Sequence, residues 1–391
     1  MSTQKVVLLG GAGAMGAITL KDLFETSPFD IVVADYNLAA AQQVADSYQS
    51  PRVRAVQCDV RDIQATAAMM RGSFAVINSV QYQLNLEVMQ AALLAGCHYT
   101  DLGGLFHMTL KQLSLHQQFL DQGLLALIGM GAAPGTTNLL ARMAADEMDE
   151  VHEIHCQVAG VDLNVGEDDG GLASSYSIQT ILEEASRPAA VFHKGRMTFV
   201  EAMSGACAVS FPGPVGTQVP AFTIHSEVAT LPTSYAAKGL KECTFAIAFD
   251  KDFTDKLRFL SAIGINSLEP ISVKGQQVVP QEVLLAVLGR LPRPPADPRP
   301  PSQVEVVRSR VKGVKGGRPV TATVDLYVTG IPQWGLGTDV DTGCPPSIVI
   351  QMLAQGLITG RGVLPAELCV PVEPYFAEHA KRNMEVRKSY E

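Results

Sequence analysis

The sequence predicts an α/β protein, a doubly wound parallel sheet carrying an inserted α+β domain with a mostly antiparallel sheet, and three observations carry that prediction. The apolar run Val6–Leu9 leads into Gly11, Gly13 and Gly16 at the spacing GxGxxG, and Asp35 closes the next apolar run, 31–34. Strand and helix patterns then alternate to about residue 140. Beyond about residue 150 the apolar residues switch to period two. At 391 residues the chain exceeds one hydrophobic core. The expected division is 1–135 and 136–340, followed by C-terminal helices over 341–391 that pack back on the first part.

The opening motif has the grammar of a Rossmann dinucleotide site. Gly11 is expected to make the strand-to-helix turn, Gly13 to let backbone approach a pyrophosphate, and Gly16 to let the helix close on the strand. Gly13, Ala14, Met15 and Gly16 would then present helix-start amides to phosphate. Asp35 lies 19 residues past Gly16, where a carboxylate accepts ribose hydroxyls and repels a 2′-phosphate. Tyr36 and Asn37 follow it without an arginine, so NAD is expected and NADP disfavoured; the alternative use of Asp35 is a helix cap.

The elements follow in order. After a helix over 38–48, 53–58 reads as a third strand ending in Asp59 and Val60, which are placed beside the adenine. A short helix over 63–71 precedes a fourth strand, 75–78, and a helix over 85–95 is stopped by Gly96. Cys97–Asp101 is a fifth strand, 107–122 a helix and 124–130 a sixth strand. Ligands of such sheets bind at the carboxyl ends of the strands. Asn78 and Ser79, Gly103, and the loop holding Ala132 and Pro134 are therefore candidate nicotinamide contacts, with Thr137 or Asn138 available as a helix cap. In the second domain, strands are expected over 151–161, 196–201, 221–229, 243–249, 304–313 and 320–329, and helices over 177–186, 252–263 and 280–289. The Pro-rich segment 291–301 reads as a surface connection. Helices over 346–357 and 374–387, separated by a Gly-rich turn at 359–363, complete the chain.

Beyond the fingerprint, several blocks resemble the saccharopine dehydrogenase superfamily, and within it the lysine 6-dehydrogenase group. They are 78–85 (Asn-Ser-Val-Gln-Tyr-Gln-Leu-Asn), 95–104 (Ala-Gly-Cys-His-Tyr-Thr-Asp-Leu-Gly-Gly), 133–138 (Ala-Pro-Gly-Thr-Thr-Asn), 176–184, Thr230–Pro232 and 356–363. The resemblance runs nearly end to end. It implies NAD(P)-linked oxidation of an amine (CH–NH₂ or CH–NH) on an amino acid, lysine-type oxidative deamination foremost, in a homo-oligomer, dimer or tetramer, whose second domain builds the interface. One departure is visible. The Arg-Tyr-x-Gly-His run common after the strand near 245 is replaced here by Ile-Ala-Phe-Asp-Lys-Asp-Phe over 247–253, which leaves reaction class better supported than substrate identity.

Oxidising an amine requires a base to take its proton before hydride leaves carbon. Asp101, at a strand end beside Gly103, is the first candidate, with capping of the loop amides of 103–105 as its alternative role. Tyr82 is the second, with packing over the nicotinamide as its alternative. Tyr176 leads a helix, and His225 and Glu227 alternate on one face of the expected strand 221–229; all three are candidate substrate contacts. Two further readings remain: a reductase forming a saccharopine- or opine-type secondary amine, and a non-catalytic NAD-binding sensor.

Composition excludes other classes. Hydrophobic residues make 47% of the chain, yet no uncharged apolar run approaches the roughly 20 residues of a membrane span. The opening Met-Ser-Thr-Gln-Lys leaves no room for a signal peptide, and seven scattered cysteines suit buried thiols in a reducing cytoplasm. A net charge of −9 argues against nucleic acid, and the basic stretch 308–318 reads as a solvated face. No metal is expected: His152 and His155 lie three apart on a strand and point to opposite faces, and the acidic loop 167–171 lacks calcium-ligand spacing.

Overall fold

In a computed structural model, which describes residues 4–164, 172, 177–291 and 299–391, the chain builds two main sheets. The first part runs β1 (Lys5–Leu9), α1 (Ala14–Thr26), β2 (Asp30–Asp35), α2 (Leu38–Ser47), β3 (Val53–Gln57), α3 (Ile63–Met70), β4 (Ala75–Asn78), α4 (Asn85–Ala95), β5 (His98–Asp101), α5 (Leu105–Leu113), α6 (His116–Asp121), β6 (Leu125–Ile128) and α7 (Thr136–Ala145). Its strands lie in the order 6-5-4-1-2-3, all parallel, as expected when helices cover both faces. Local chemistry sets the helix ends. Asn37 and Asp62 cap α2 and α3 by accepting from Ala40 N and Ala65 N, and Gly96 stops α4 at φ 71°.

The second part runs β7 (Glu150–Asp162), α8 (Ile178–Glu184), β8 (Ala189–His193), β9 (Arg196–Val200), β10 (Val209–Ser210), β11 (Thr217–Gln218), β12 (Ala221–Phe222), α9 (Glu227–Ser234), β13 (Glu242–Ala248), α10 (Lys251–Ala262), β14 (Ile271–Val273), β15 (Gln276–Val278), α11 (Pro280–Leu288), β16 (Gln303–Lys315) and β17 (Arg318–Val328). The tail adds α12 (Val340–Ala354), β18 (Gly362–Pro365), α13 (Ala366–Cys369), α14 (Val372–Ala380) and β19 (Met384–Tyr390).

Several expectations are corrected. The parallel sheet has a seventh strand, because β18, expected as a Gly-rich turn, pairs with β6 and hides its edge. The helix expected over 374–387 ends at Ala380. Asn383 turns at φ 59°, and the alternating residues of β19 pair with β17. The second sheet is mixed, since β13 runs parallel to β7 while its other pairings are antiparallel. The expected strand 221–229 is a strand only at β12; Ile224, Val228 and Leu231 are fully buried at helix-compatible spacing, and α9 starts at Glu227. The expected helix 107–122 breaks between α5 and α6. Arg308 is not on a solvated face. It is buried, paired with both oxygens of Asp325 (2.6 and 2.9 Å), and lies over Phe211. Cys207 is exposed, unlike most of the other cysteines.

One apolar core passes through both sheets, joining Val6 and Leu8 with Ile154, Phe245, Val307 and Ile348. The tail is fastened to α1 in particular. A side chain at Gly343 would fall 2.5 Å from Ile18 Cβ, Thr19 donates to Gly343 O at 2.7 Å, and Arg382 forms a buried bidentate pair with Asp22.

Candidate active site

The turn after β1 is built for close backbone approach. Its left-handed position is Gly10 (φ 70°) rather than Gly11, whose missing side chain instead makes room for Val33 and Leu8. At Gly16 a Cβ would fall 2.2 Å from Gly10 O, so any larger residue would push α1 off the turn. Gly13 caps α1 with no side chain of its own, and Ala14 and Met15 form the first turn, which carries no acidic residue. That leaves an anion cradle of free amides. Asp35, half-buried at the end of β2, accepts from Asn37 N at 3.0 Å and lies 3.4 Å from Ala12 N, beside the turn where a ribose would sit. Ser79 Oγ, after β4, is buried without a partner and fits a cofactor hydrogen bond. These residues fit a nicotinamide dinucleotide. Other predicted contacts are less direct. Asn78 is buried and holds Asn85 and Tyr99, while exposed Asp59 chelates Arg61, which holds its carboxyl down at about 2; Val60 is buried.

At the nicotinamide end, Gly103 (φ 123°) packs its bare Cα against the Pro134 ring, and Ala132 and Pro134 are buried in the same loop. Asp101 organises this junction. Its Oδ1 accepts from Gly103 N (2.9 Å) and Gly129 N (2.7 Å), and its Oδ2 accepts from Tyr99 OH (2.7 Å), Gln112 Nε2 (2.5 Å) and Asn85 Nδ2 (3.4 Å). Burial raises its proton affinity and these donors oppose the rise. At 1% exposure the Asp101 carboxyl takes five donors, the arrangement of a clamp on the surrounding loops.

Two pairs that reach across the chain sit near this junction. Tyr82 OH donates to Glu183 Oε2 of α8, whose carboxylate also takes Gln83 Nε2 (2.8 Å) and Arg187 (2.8 Å). Burial and the Glu183 bond hold the Tyr82 hydroxyl protonated, well above its ordinary range. His225 Nδ1 bonds Glu227 Oε2, and Glu227 Oε1 accepts from Thr137 at 2.7 Å at the start of α7. The imidazole stacks on Phe245 with centroids 3.7 Å apart. Burial disfavours charge on this histidine, but Glu227, seconded by Glu184, outweighs it, so its proton affinity is raised. Neighbouring Ser226, bonded to Thr109, lies 3.9 Å from where a Gly103 Cβ would stand, which puts the pair beside the nicotinamide loop.

The sequence thus located His225 and Glu227 but put them on a strand, where they would be parallel neighbours; at the mouth of α9 they become a bonded pair. Glu183 and Thr137 were not singled out as partners, although both lie inside the blocks 176–184 and 133–138. The helix expected from Leu139 begins earlier, at Thr136 with Gly135 as its cap, and Asn138, inside the first turn, accepts from Gly135 N at 3.1 Å. His152 and His155 take separate partners, Glu150 and Glu153, and the described residues hold no group of three or more metal ligands. Tyr176 and the acidic loop 167–171 lie outside the described residues.

Fold and site together define a two-part NAD(P)-binding oxidoreductase architecture, in which a dinucleotide sheet meets a mixed sheet across a polar junction. Residues 6–127 match the saccharopine dehydrogenase NADP binding domain and residues 131–384 the saccharopine dehydrogenase C-terminal domain. The chain belongs to the saccharopine dehydrogenase family. It is 25% identical over 386 residues to carboxyaminopropylagmatine dehydrogenase of Synechocystis sp., covering 95% of this chain and 94% of that one. Its fold is similar to the L-Glu-forming saccharopine dehydrogenase of Saccharomyces cerevisiae (TM-score 0.75, 17% identity, 99% and 100% coverage). It is also similar to the homospermidine synthase of Legionella pneumophila, solved with NAD (TM-score 0.69, 12% identity, 100% and 92% coverage).

Proposed function

We propose that the protein is an NAD-dependent dehydrogenase acting on a CH–NH group of an amino acid or amino-acid-derived amine, with His225 as the proton acceptor. The observation that carries this reading is the buried His225–Glu227 pair beside the Gly103–Pro134 loop. Glu227 holds Nδ1–H and so leaves Nε2 as the basic nitrogen, the arrangement that orients a general base. Bound NAD would supply the hydride acceptor. The protein's part is to hold the amine and take its proton onto His225 Nε2, with the Tyr82 ring held in place by Glu183. Water then adds to the oxidised carbon if deamination follows. Lysine is one substrate of this class. The relative named for carboxyaminopropylagmatine supports widening the class to longer amines.

NAD over NADP is favoured by Asp35, and by the absence of an arginine at Tyr36 and Asn37. A homo-oligomer in the cytoplasm is the proposed setting; half-exposed Phe199 on the sheet-edge strand β9 supports association, and free cysteines support a reducing compartment.

The test is NADH formation across a panel of amines, with wild type, His225→Asn and Glu227→Gln. Loss of a general base is expected to lower kcat about 10²- to 10⁴-fold in His225→Asn, with NAD affinity kept. Because the His225 proton affinity is raised, its base form accumulates only above the ordinary histidine range. The kcat/KM profile of wild type should therefore rise with pH through that raised value, and Glu227→Gln should move the rise to lower pH. Near-normal turnover in His225→Asn would defeat the assignment.

A further inference from the structure

The tail helix α14 carries a buried hydroxyl that the reaction described above does not use. Tyr375 is fully buried, with its ring against His379 at a centroid distance of 4.2 Å. His379 Nδ1 donates to Tyr375 O at 3.1 Å, and burial holds this imidazole neutral, its proton affinity down at about 3. Burial also keeps the Tyr375 hydroxyl protonated, and that hydroxyl meets Thr136 Oγ1 at 2.7 Å. The direction of the bond follows from Thr136, which has one hydroxyl proton and gives it to Gly131 O at 2.8 Å; Tyr375 is therefore the donor.

Thr136 closes the loop that carries Ala132 and Pro134. Gly131 N donates to Pro134 O (2.8 Å), Thr136 N to Gly131 O (3.0 Å) and Thr137 N to Ala132 O (3.1 Å), so the loop is a tight turn whose position depends on what holds its end. A Cβ at Gly135 would fall 2.4 Å from Gly129 O, which leaves the turn no room to shift. Three consecutive side chains then fasten it to distant elements: Thr136 to Tyr375, Thr137 to Glu227 at 2.7 Å, and Asn138 to Glu367 of α13 at 2.9 Å. Just past the other end of α14, Arg382 pairs with Asp22 of α1, the helix whose first turn forms the phosphate cradle. The tail helix thus braces the helix behind the pyrophosphate against the loop at the nicotinamide end. For packing alone a phenylalanine would serve, because a buried hydroxyl is costly unless it is bonded. What the hydroxyl adds is a fixed position for Thr136.

We infer that Tyr375 is a positioning residue for the nicotinamide half of the cofactor: it acts through Thr136 on the 131–135 loop, from the far end of the chain. This rests on the reading that the Gly103–Pro134 loop meets the nicotinamide.

The test compares, by calorimetry on the full chain, the binding of NAD with that of ADP-ribose, which lacks only the nicotinamide. Tyr375→Phe is expected to weaken NAD about 3- to 10-fold and to leave ADP-ribose unchanged, the effect of one lost hydrogen bond felt at one end of the ligand. Thr136→Ser keeps the hydroxyl and should bind NAD as wild type does. Thr136→Val removes it, and adding Tyr375→Phe to Thr136→Val should cost no further affinity, because both act through one contact. In wild type, hydrogen exchange over 372–380 should slow with NAD more than with ADP-ribose, a readout that stands even if a variant fails to fold. NAD binding that ignores Tyr375→Phe, an equal loss for the two ligands, or equal slowing by both would overturn the inference. None of these measurements needs an amine, so failure here leaves the His225 assignment standing; nicotinamide-dependent effects found as expected while no amine reduces NAD would defeat the reaction assignment alone.

Discussion

Asp101 and His225 are both buried ionisable side chains at the same junction, and what surrounds each gives it a different job. Five donors converge on Asp101, from β5, α4, α5 and the loops after β5 and β6, so its acceptor oxygens hold loops together. His225 has one carboxylate partner and an aromatic floor, which orient its ring. Asp101→Asn would turn one acceptor oxygen into a donor facing donors, at about 1–3 kcal/mol for each buried group left unsatisfied. We therefore expect a clear fall in Tm by thermal denaturation, larger than that of His225→Asn; an Asp101→Asn protein as stable as wild type would remove the clamp. The position of Asp101 at a strand end was legible in the sequence. Its donors were not, because Asn85 and Gln112 reach it from helices 16 and 11 residues away.

At the scale of elements, the turn joining β1 to α1 and the end of β2 set the cofactor preference. Gly16 brings α1 close, and Asp35 then stands beside the turn, near Ala12. Asp35→Ala should weaken NAD by about 1.5–3 kcal/mol, the worth of hydrogen bonds to a charged group, and weaken NADP less, since it also removes repulsion of the 2′-phosphate. Equilibrium titration with both cofactors checks this; an unchanged ratio would place the discrimination elsewhere. Elements with strong local signals were readable, among them the capped α2 and α3 and the apolar β1 and β2. The segments 221–229 and 374–387 were not. Their period was ambiguous, and the outcome depended on a partner: α9 turns Val228 and Leu231 into the core, and β19 exists because β17 offers an edge.

The whole molecule is closed by its last thirty residues. β18 covers the edge of β6, β19 covers the edge of β17, and Arg382 neutralises Asp22, which is fully buried in α1. Burial would otherwise favour loss of the Arg382 proton, but Asp22 and Glu378 hold the guanidinium charged. Ending the chain at Gly360 would bare two edges and strand a buried charge, the last alone costing about 3–5 kcal/mol. We expect an insoluble product, assayed by fractionation after expression; a soluble fragment that still binds NAD would show the closure to be dispensable. What the sequence determined by itself is the dinucleotide turn, the alternation of strand and helix and the family, because glycine spacing and hydrophobic period are local properties. The tertiary structure alone decided that five donors converge on Asp101, that Glu227 joins His225 to Thr137, and that Glu183 meets Tyr82. Each of these depends on side chains far apart in the chain being brought within hydrogen-bond reach, and on burial making an unmatched charge too costly to leave alone.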